Sequence, residues 1–138
     1  NWFDLKGLVG RKTALALLFE ADLVCLPSLY SSECQPLALI EAMCMARPVL
    51  IADTPALRAT MGGYPCTVVK NPTPEEIRLA LQRIMTYSCN RIELVEASRK
   101  ARARFSIQRF ESEISSVLGI GPPLDSRSTS FGSHGINL

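Results

Sequence analysis

Two short, uninterrupted apolar runs constrain this chain more than any other feature. They are "DLVCLP", closed by Pro27, and "RPVLIAD", from Arg47 to Asp53. A strand with one face in water alternates apolar and polar residues, whereas a run apolar at every position must be covered on both faces, as strands of a parallel sheet are. Between the two runs lies a segment from about Gln35 to Met45, rich in Leu, Ala, Met and Glu, which reads as a helix. Strand, helix and strand in that order form the repeating unit of a parallel sheet.

The rest of the chain extends the pattern. "NWFDL" reads as a short strand leading to Gly7, and "RKTALALLFEA" as a helix of three turns. "PALRATM" reads as a short helix before Gly62 and Gly63, and "CTVV" as a third strand. "TPEEIRLALQRIM" carries a Thr73 cap, Pro74 at the first helical position and two glutamates in the first turn. "RIELVEASRKARARF" and "SIQRFESEISSVL" read as further amphipathic helices, the second capped by Ser106. From Gly121 the chain turns to Gly, Pro and Ser without apolar period, the composition of a disordered tail. The expected fold class is α/β, a parallel sheet flanked by helices and ending in amphipathic helices.

Composition narrows the functions. The net charge of +2 is too small to argue for nucleic acid. No apolar run approaches the roughly 18 residues of a membrane span. The five cysteines form no C-x-x-C pair and read as buried thiols in a reducing compartment. The one histidine, His134, lies in the tail, which removes most Cys/His metal sites and every His-dependent triad from consideration.

In parallel α/β layers, ligands bind beyond the carboxyl ends of the strands. The loop "SLYSSECQ" leaves "DLVCLP" there and enters a helix. Ser28, Ser31 and Ser32 are short hydrogen-bonding residues, and a helix start attracts phosphate. Glu33 precedes the helix and Glu41 lies within it; a helix through both would set them about 80° apart. The ordinary reading is that Glu33 is a cap and that Glu41 reaches solvent or pairs with Arg47 or Arg58. The basic stretch "RKARAR" likewise reads as a solvated helix face, since Glu93 and Glu96 share its helix.

The whole stretch "ADLVCLPSLYSSECQPLALIEAMCMARPVLIADTPALR" resembles the donor-binding domain of the retaining GT-B glycosyltransferases, specifically glycosyltransferase family 4. The residues that carry the resemblance are Asp22, Pro27, Ser28, Glu33, Glu41, Ala42, Met43, Pro48 and Val49, and it extends over Asn1 to Leu118. It implies a Rossmann-like sheet, with residues 1–118 a partial nucleotide-sugar-binding domain and 119–138 a tail. It assigns Glu41 to the ribose hydroxyls of a nucleotide-sugar donor and Glu33, as the catalytic residue, to the neighbourhood of the transferring sugar and diphosphate. Ser28, Cys34, Gln35, Pro36 and Leu37 would complete the donor contacts. The donor would be a UDP- or GDP-sugar, with no metal or cofactor and an unknown acceptor.

Several residues depart from the family's pattern. Gly-Phe-Gly after the first glutamate is here Cys34-Gln35-Pro36, and Pro36 has no N–H for phosphate. A glycine usual before "RPV" is Ala46, strained if its φ is positive. A glutamate usual after "PALR" is Ala59. The family's basic diphosphate-binding Arg and Lys, and its acceptor domain, would lie upstream of Asn1, so the isolated chain is expected to be inactive. The resemblance further implies a location in the cytoplasm or on the cytoplasmic face of a membrane, reached through that N-terminal domain. The competing readings are a degenerate, non-catalytic interaction module of GT-B type, and a GT-B sugar-nucleotide epimerase or phosphorylase-like enzyme.

Overall fold

The computed structural model describes residues 3–30, 34–86 and 90–119 of the 138. Its elements run α1 (Arg11–Glu20), β1 (Val24–Leu26), α2 (Leu37–Cys44), β2 (Val49–Ala52), α3 (Pro55–Met61), β3 (Thr67–Val69), α4 (Pro74–Thr86), α5 (Arg91–Arg104) and α6 (Ile107–Leu118). The three strands form one parallel sheet in the order β1-β2-β3. This is a Rossmann-like α/β layer, as the apolar runs require.

The central strand is buried at every position, from Val49 through Leu50 and Ile51 to Ala52. Its alternating side chains serve two cores. Val49 and Ile51 join Leu39, Ala42, Met43, Leu57, Leu94 and Ala101 on the face covered by α2, α3 and α5. Leu50 turns to the other face, with Val69 and Ala80 and the partly buried Leu81 and Ile84 of α4.

Two strand expectations need correction. "NWFDL" does not form a strand over its described residues: among these β1 is the outermost strand, and Leu5 stands 81% exposed. The run at β1 is apolar throughout but covered on one face. Val24 and Leu26 pack against the larger core, whereas Cys25, paired with Leu50, is exposed on the other face.

Helix ends follow their local chemistry. Thr54 Oγ1 accepts from Leu57 N–H at 3.3 Å, Thr73 Oγ1 from Glu76 N–H at 3.2 Å, and Ser106 Oγ from Arg109 N–H at 3.3 Å. Asn90 caps α5, its Oδ1 accepting from the N–H groups of Ile92 and Glu93. The end of α2 is a left-handed turn, with Arg47 N–H donating to Ala42 O at 3.0 Å and Ala46 N–H to Met43 O at 3.1 Å. Ala46 holds φ 55, so the strain expected of a non-glycine residue there is present.

The arginines of "RKARAR" are not all solvated. Arg102 Nε donates to Cys44 O at 2.7 Å, at the end of α2. Arg104 donates from Nη1 to Thr60 O and from Nη2 to Ala59 O, both at 2.8 Å, at the end of α3. Cations at helix carboxyl ends meet carbonyls that lack helical partners, and they gain from the helix dipole. Gly62, with φ 53, leaves room for Arg104: a Cβ there would fall 1.9 Å from Nη1.

Residues up to Phe105 form one compact unit, and α6 belongs to a second that begins at Ser106. By itself α6 is amphipathic, with Phe110, Ile114 and Val117 along one side. Among the described residues no helix is long and apolar enough to cross a membrane. The expected tail from Gly121 lies outside the described residues, as does His134.

The strained turn gives a direct test. Ala46→Gly removes a left-handed penalty of about 1–2 kcal/mol and adds about 0.4–1 kcal/mol of unfolded-state entropy. The expected result is a stabilisation of about 0.5–1 kcal/mol, read as a Tm several degrees higher in thermal denaturation. An unchanged or lower Tm would contradict the strain.

Candidate functional site

The carboxyl ends of the three strands bring together Ser28 after β1, Asp53 after β2 and Lys70 after β3. Ser28 to Tyr30 follow β1 at this edge, and Cys34 to Pro36 lead into α2. Ser28 is half-buried, and its Oγ accepts from Tyr30 N–H at 3.2 Å, which turns the loop at its start. Ser31, Ser32 and Glu33 lie outside the described residues. The described chain resumes at Cys34 and Gln35, both exposed.

Helix α2 begins at Leu37, with Pro36 as its extended cap residue at φ −65 and ψ 116. Pro36 O accepts from Leu39 N–H at 3.0 Å and from Ile40 N–H at 3.3 Å, closing the first turn. Glu33 therefore precedes the helix by four positions, and an angle computed for a helix through both glutamates does not apply. Within α2 the faces divide cleanly. Leu39, Ala42 and Met43 are buried, whereas Leu37, 67% exposed, and Glu41 stand one helical turn apart on the outward side. An apolar side chain and a carboxylate are thus presented together beside the loop.

Glu41 does have a partner, and it is neither Arg47 nor Arg58. Arg11 Nη2 lies 3.0 Å from Glu41 Oε1, the arginine side chain 74% exposed and the glutamate 22%. Arg47 is engaged elsewhere: Nε donates to Met45 O at 3.1 Å, Nη1 to Ala21 O at 3.3 Å, and the guanidinium lies over the Phe19 ring. Arg58 pairs with Asp53, and that hydrogen bond holds the Asp53 carboxyl below the usual carboxylate range. Sequence reasoning missed Arg11, although a signal existed. Arg11 is the first residue of α1, which has no acidic residue in its first turn and no side-chain cap. A cation is unfavourable at that end of a helix, so its presence called for a carboxylate nearby.

Of the donor-binding residues expected, the described structure gathers Cys34, Gln35, Pro36, Leu37 and Glu41 at one helix start, with Ser28 at the foot of the same loop. The cysteines depart from expectation in burial. Cys25 and Cys34 are exposed, Cys44 and Cys66 are half-buried with thiols pushed up by burial, and Cys89 lies outside the described residues. No group of His, Cys, Asp and Glu able to hold a metal ion forms among the described residues. A hollow of about 430 Å³, lined by Asp22, Arg47, Pro48, Arg91 and Leu94 among others, lies at the opposite, amino ends of β1 and β2. It has none of the expected donor residues.

A Rossmann-like layer whose candidate ligand residues lie at the carboxyl edge of a parallel sheet defines a class of ligand-binding α/β domain. The family profile of the group 1 glycosyl transferases matches residues 3–87. The chain belongs to the group 1 glycosyl transferases. No curated protein matches it significantly.

The Arg11–Glu41 contact is open to water on the arginine side, which limits its contribution. Arg11→Gln is expected to lower the unfolding free energy by less than about 1 kcal/mol in denaturant titration. A loss above about 2 kcal/mol would mean that Glu41 is retained chiefly to anchor α1.

Proposed function

We propose that this chain is the partial donor-binding domain of a retaining GT-B glycosyltransferase resembling family 4, with residues 1–118 as that domain and 119–138 as a tail. The reaction is transfer of a sugar from a nucleotide-sugar donor, a UDP- or GDP-sugar, to an acceptor. The observation that carries the reading is the pairing of Leu37 and Glu41 on the outward side of α2, directly after the loop at the sheet's carboxyl edge.

In this reading Glu41 accepts hydrogen bonds from the ribose hydroxyls. Leu37 offers an apolar surface to the nucleoside. Ser28 and the Cys34–Pro36 segment border the sugar and diphosphate. Pro36 has no N–H, so diphosphate contacts from this segment fall to the amides of Gln35 and Leu37. Glu33 stands beside the transferring sugar, where charge develops as the glycosidic bond breaks. Catalysis is electrostatic, easing departure of the diphosphate from an oxocarbenium-like sugar.

A second reading draws on the Arg11 contact. Glu41 would then serve only to tie α1 to α2 in a non-catalytic module. The two differ in what glutamine at position 41 does. On the donor reading, losing a charged hydrogen bond costs about 1.5–3 kcal/mol, so Glu41→Gln weakens binding of UDP- or GDP-sugars by roughly 10- to 150-fold at an unchanged Tm. In donor kinetics of the complete enzyme this appears as a raised KM, while Glu33→Gln lowers kcat and leaves KM little altered. Saturation-transfer NMR with calorimetry checks the first effect, and initial-rate kinetics the second. Donor binding indifferent to Glu41→Gln would exclude the ribose role.

A further inference from the structure

We propose that Thr60, on α3, is a positioning residue for the donor loop, and that it aims the Gln35 amide at the donor's diphosphate. The inference rests on the donor-site reading above and adds to it a residue that touches no ligand.

Thr60 is 1% exposed, one of two buried polar side chains in the described core. Burying a hydroxyl is unfavourable unless it is hydrogen-bonded, and valine would fill the same volume without that cost. The Thr60 Oγ1 lies 2.9 Å from Ala56 O, the bond within its own helix. It also lies 3.3 Å from Cys34 O, in the loop that leads into α2. The hydroxyl's one proton is shared between these two acceptors, the Ala56 bond being the shorter, and the second acceptor lies 26 positions back along the chain. Thr60 is held in turn, since Arg104 donates to its carbonyl oxygen at 2.8 Å.

The consequence follows from the peptide plane. Cys34 C=O and Gln35 N–H belong to one trans unit and point in opposite directions. No cis peptide bond interrupts the described chain. Drawing the carbonyl towards α3 therefore turns the Gln35 N–H away from it. Because Pro36 has no N–H, Gln35 carries the last amide before the helix, and its direction decides whether the loop offers a donor to phosphate. In this arrangement α3, braced by α5, sets the loop, while α2 carries the ribose carboxylate.

The test uses the full 138-residue chain as wild type, Thr60→Val, Thr60→Ala and Thr60→Ser. Two readouts are taken: the residual dipolar coupling of the Gln35 N–H, which reports its direction without ligand, and the affinities for UDP and GDP. Thr60→Val should change or average out the Gln35 coupling and weaken UDP or GDP binding about five- to tenfold. Thr60→Ser should restore both to within about twofold of wild type. Thr60→Ala removes the hydroxyl without placing a methyl against the Ala56 and Cys34 carbonyls, and should show the same two losses even where the valine variant misfolds. An unchanged Gln35 coupling in the hydroxyl-free variants overturns the positioning role. So does unchanged nucleotide affinity where wild type binds. Failure of wild type to bind either nucleotide overturns the donor-site reading itself, and with it the assignment of Gln35 to a diphosphate.

Discussion

The structure depends on the complete burial of one four-residue strand. β2 has no exposed position, so every neighbouring element must cover it. β1 and β3 pair on either side, α2, α3 and α5 close one face, and α4 closes the other. The site inherits its geometry from this. α2 packs on β2 through Leu39, Ala42 and Met43, and with those three inward Leu37 and Glu41 have only the outward side to occupy. The carboxylate is presented because the rest of its helix is core.

A second layer of control comes from helix ends. Arg102 and Arg104, two residues apart on α5, reach the terminal carbonyls of α2 and α3 respectively. Arg47 ties the turn after α2 to Ala21 at the end of α1, and the Tyr64 hydroxyl donates to Arg47 O at 2.9 Å. Charged side chains that look solvated in the sequence thus donate to backbone carbonyls near the ends of helices. Ala46 shows the opposite case, a turn kept in a left-handed conformation without the glycine that suits it.

Most of the fold was legible because its signals are local. Apolar runs marked β1, β2 and β3, and Thr73, Pro74 and Ser106 marked helix starts near the residues where α4 and α6 begin. The failures concern relations between distant segments. Whether β1 is covered on both faces depends on what lies beyond it, which composition does not encode. That Arg11 rather than Arg47 or Arg58 meets Glu41 depends on how α1 lies against α2, across about thirty intervening positions. Thr60 was invisible for the same reason: a threonine inside an apolar helix shows its purpose only when the carbonyl it reaches is known. The group 1 glycosyl transferase family was legible from the Glu-x7-Glu context, while Glu33 itself lies outside the described residues.

The central claim is that the carboxyl edge of the sheet, at the start of α2, receives a nucleotide-sugar. Mapping amide chemical shifts of the ¹⁵N-labelled chain during titration with UDP-glucose and with GDP-mannose tests it most directly. The account predicts that one of the two moves the amides of Cys34, Gln35, Leu37, Ala38 and Glu41 together, with Ser28 at the foot of the loop. Shifts confined to the opposite edge, around Asp22, Arg47 and Arg91, or no shifts with either donor at millimolar concentration, would contradict it.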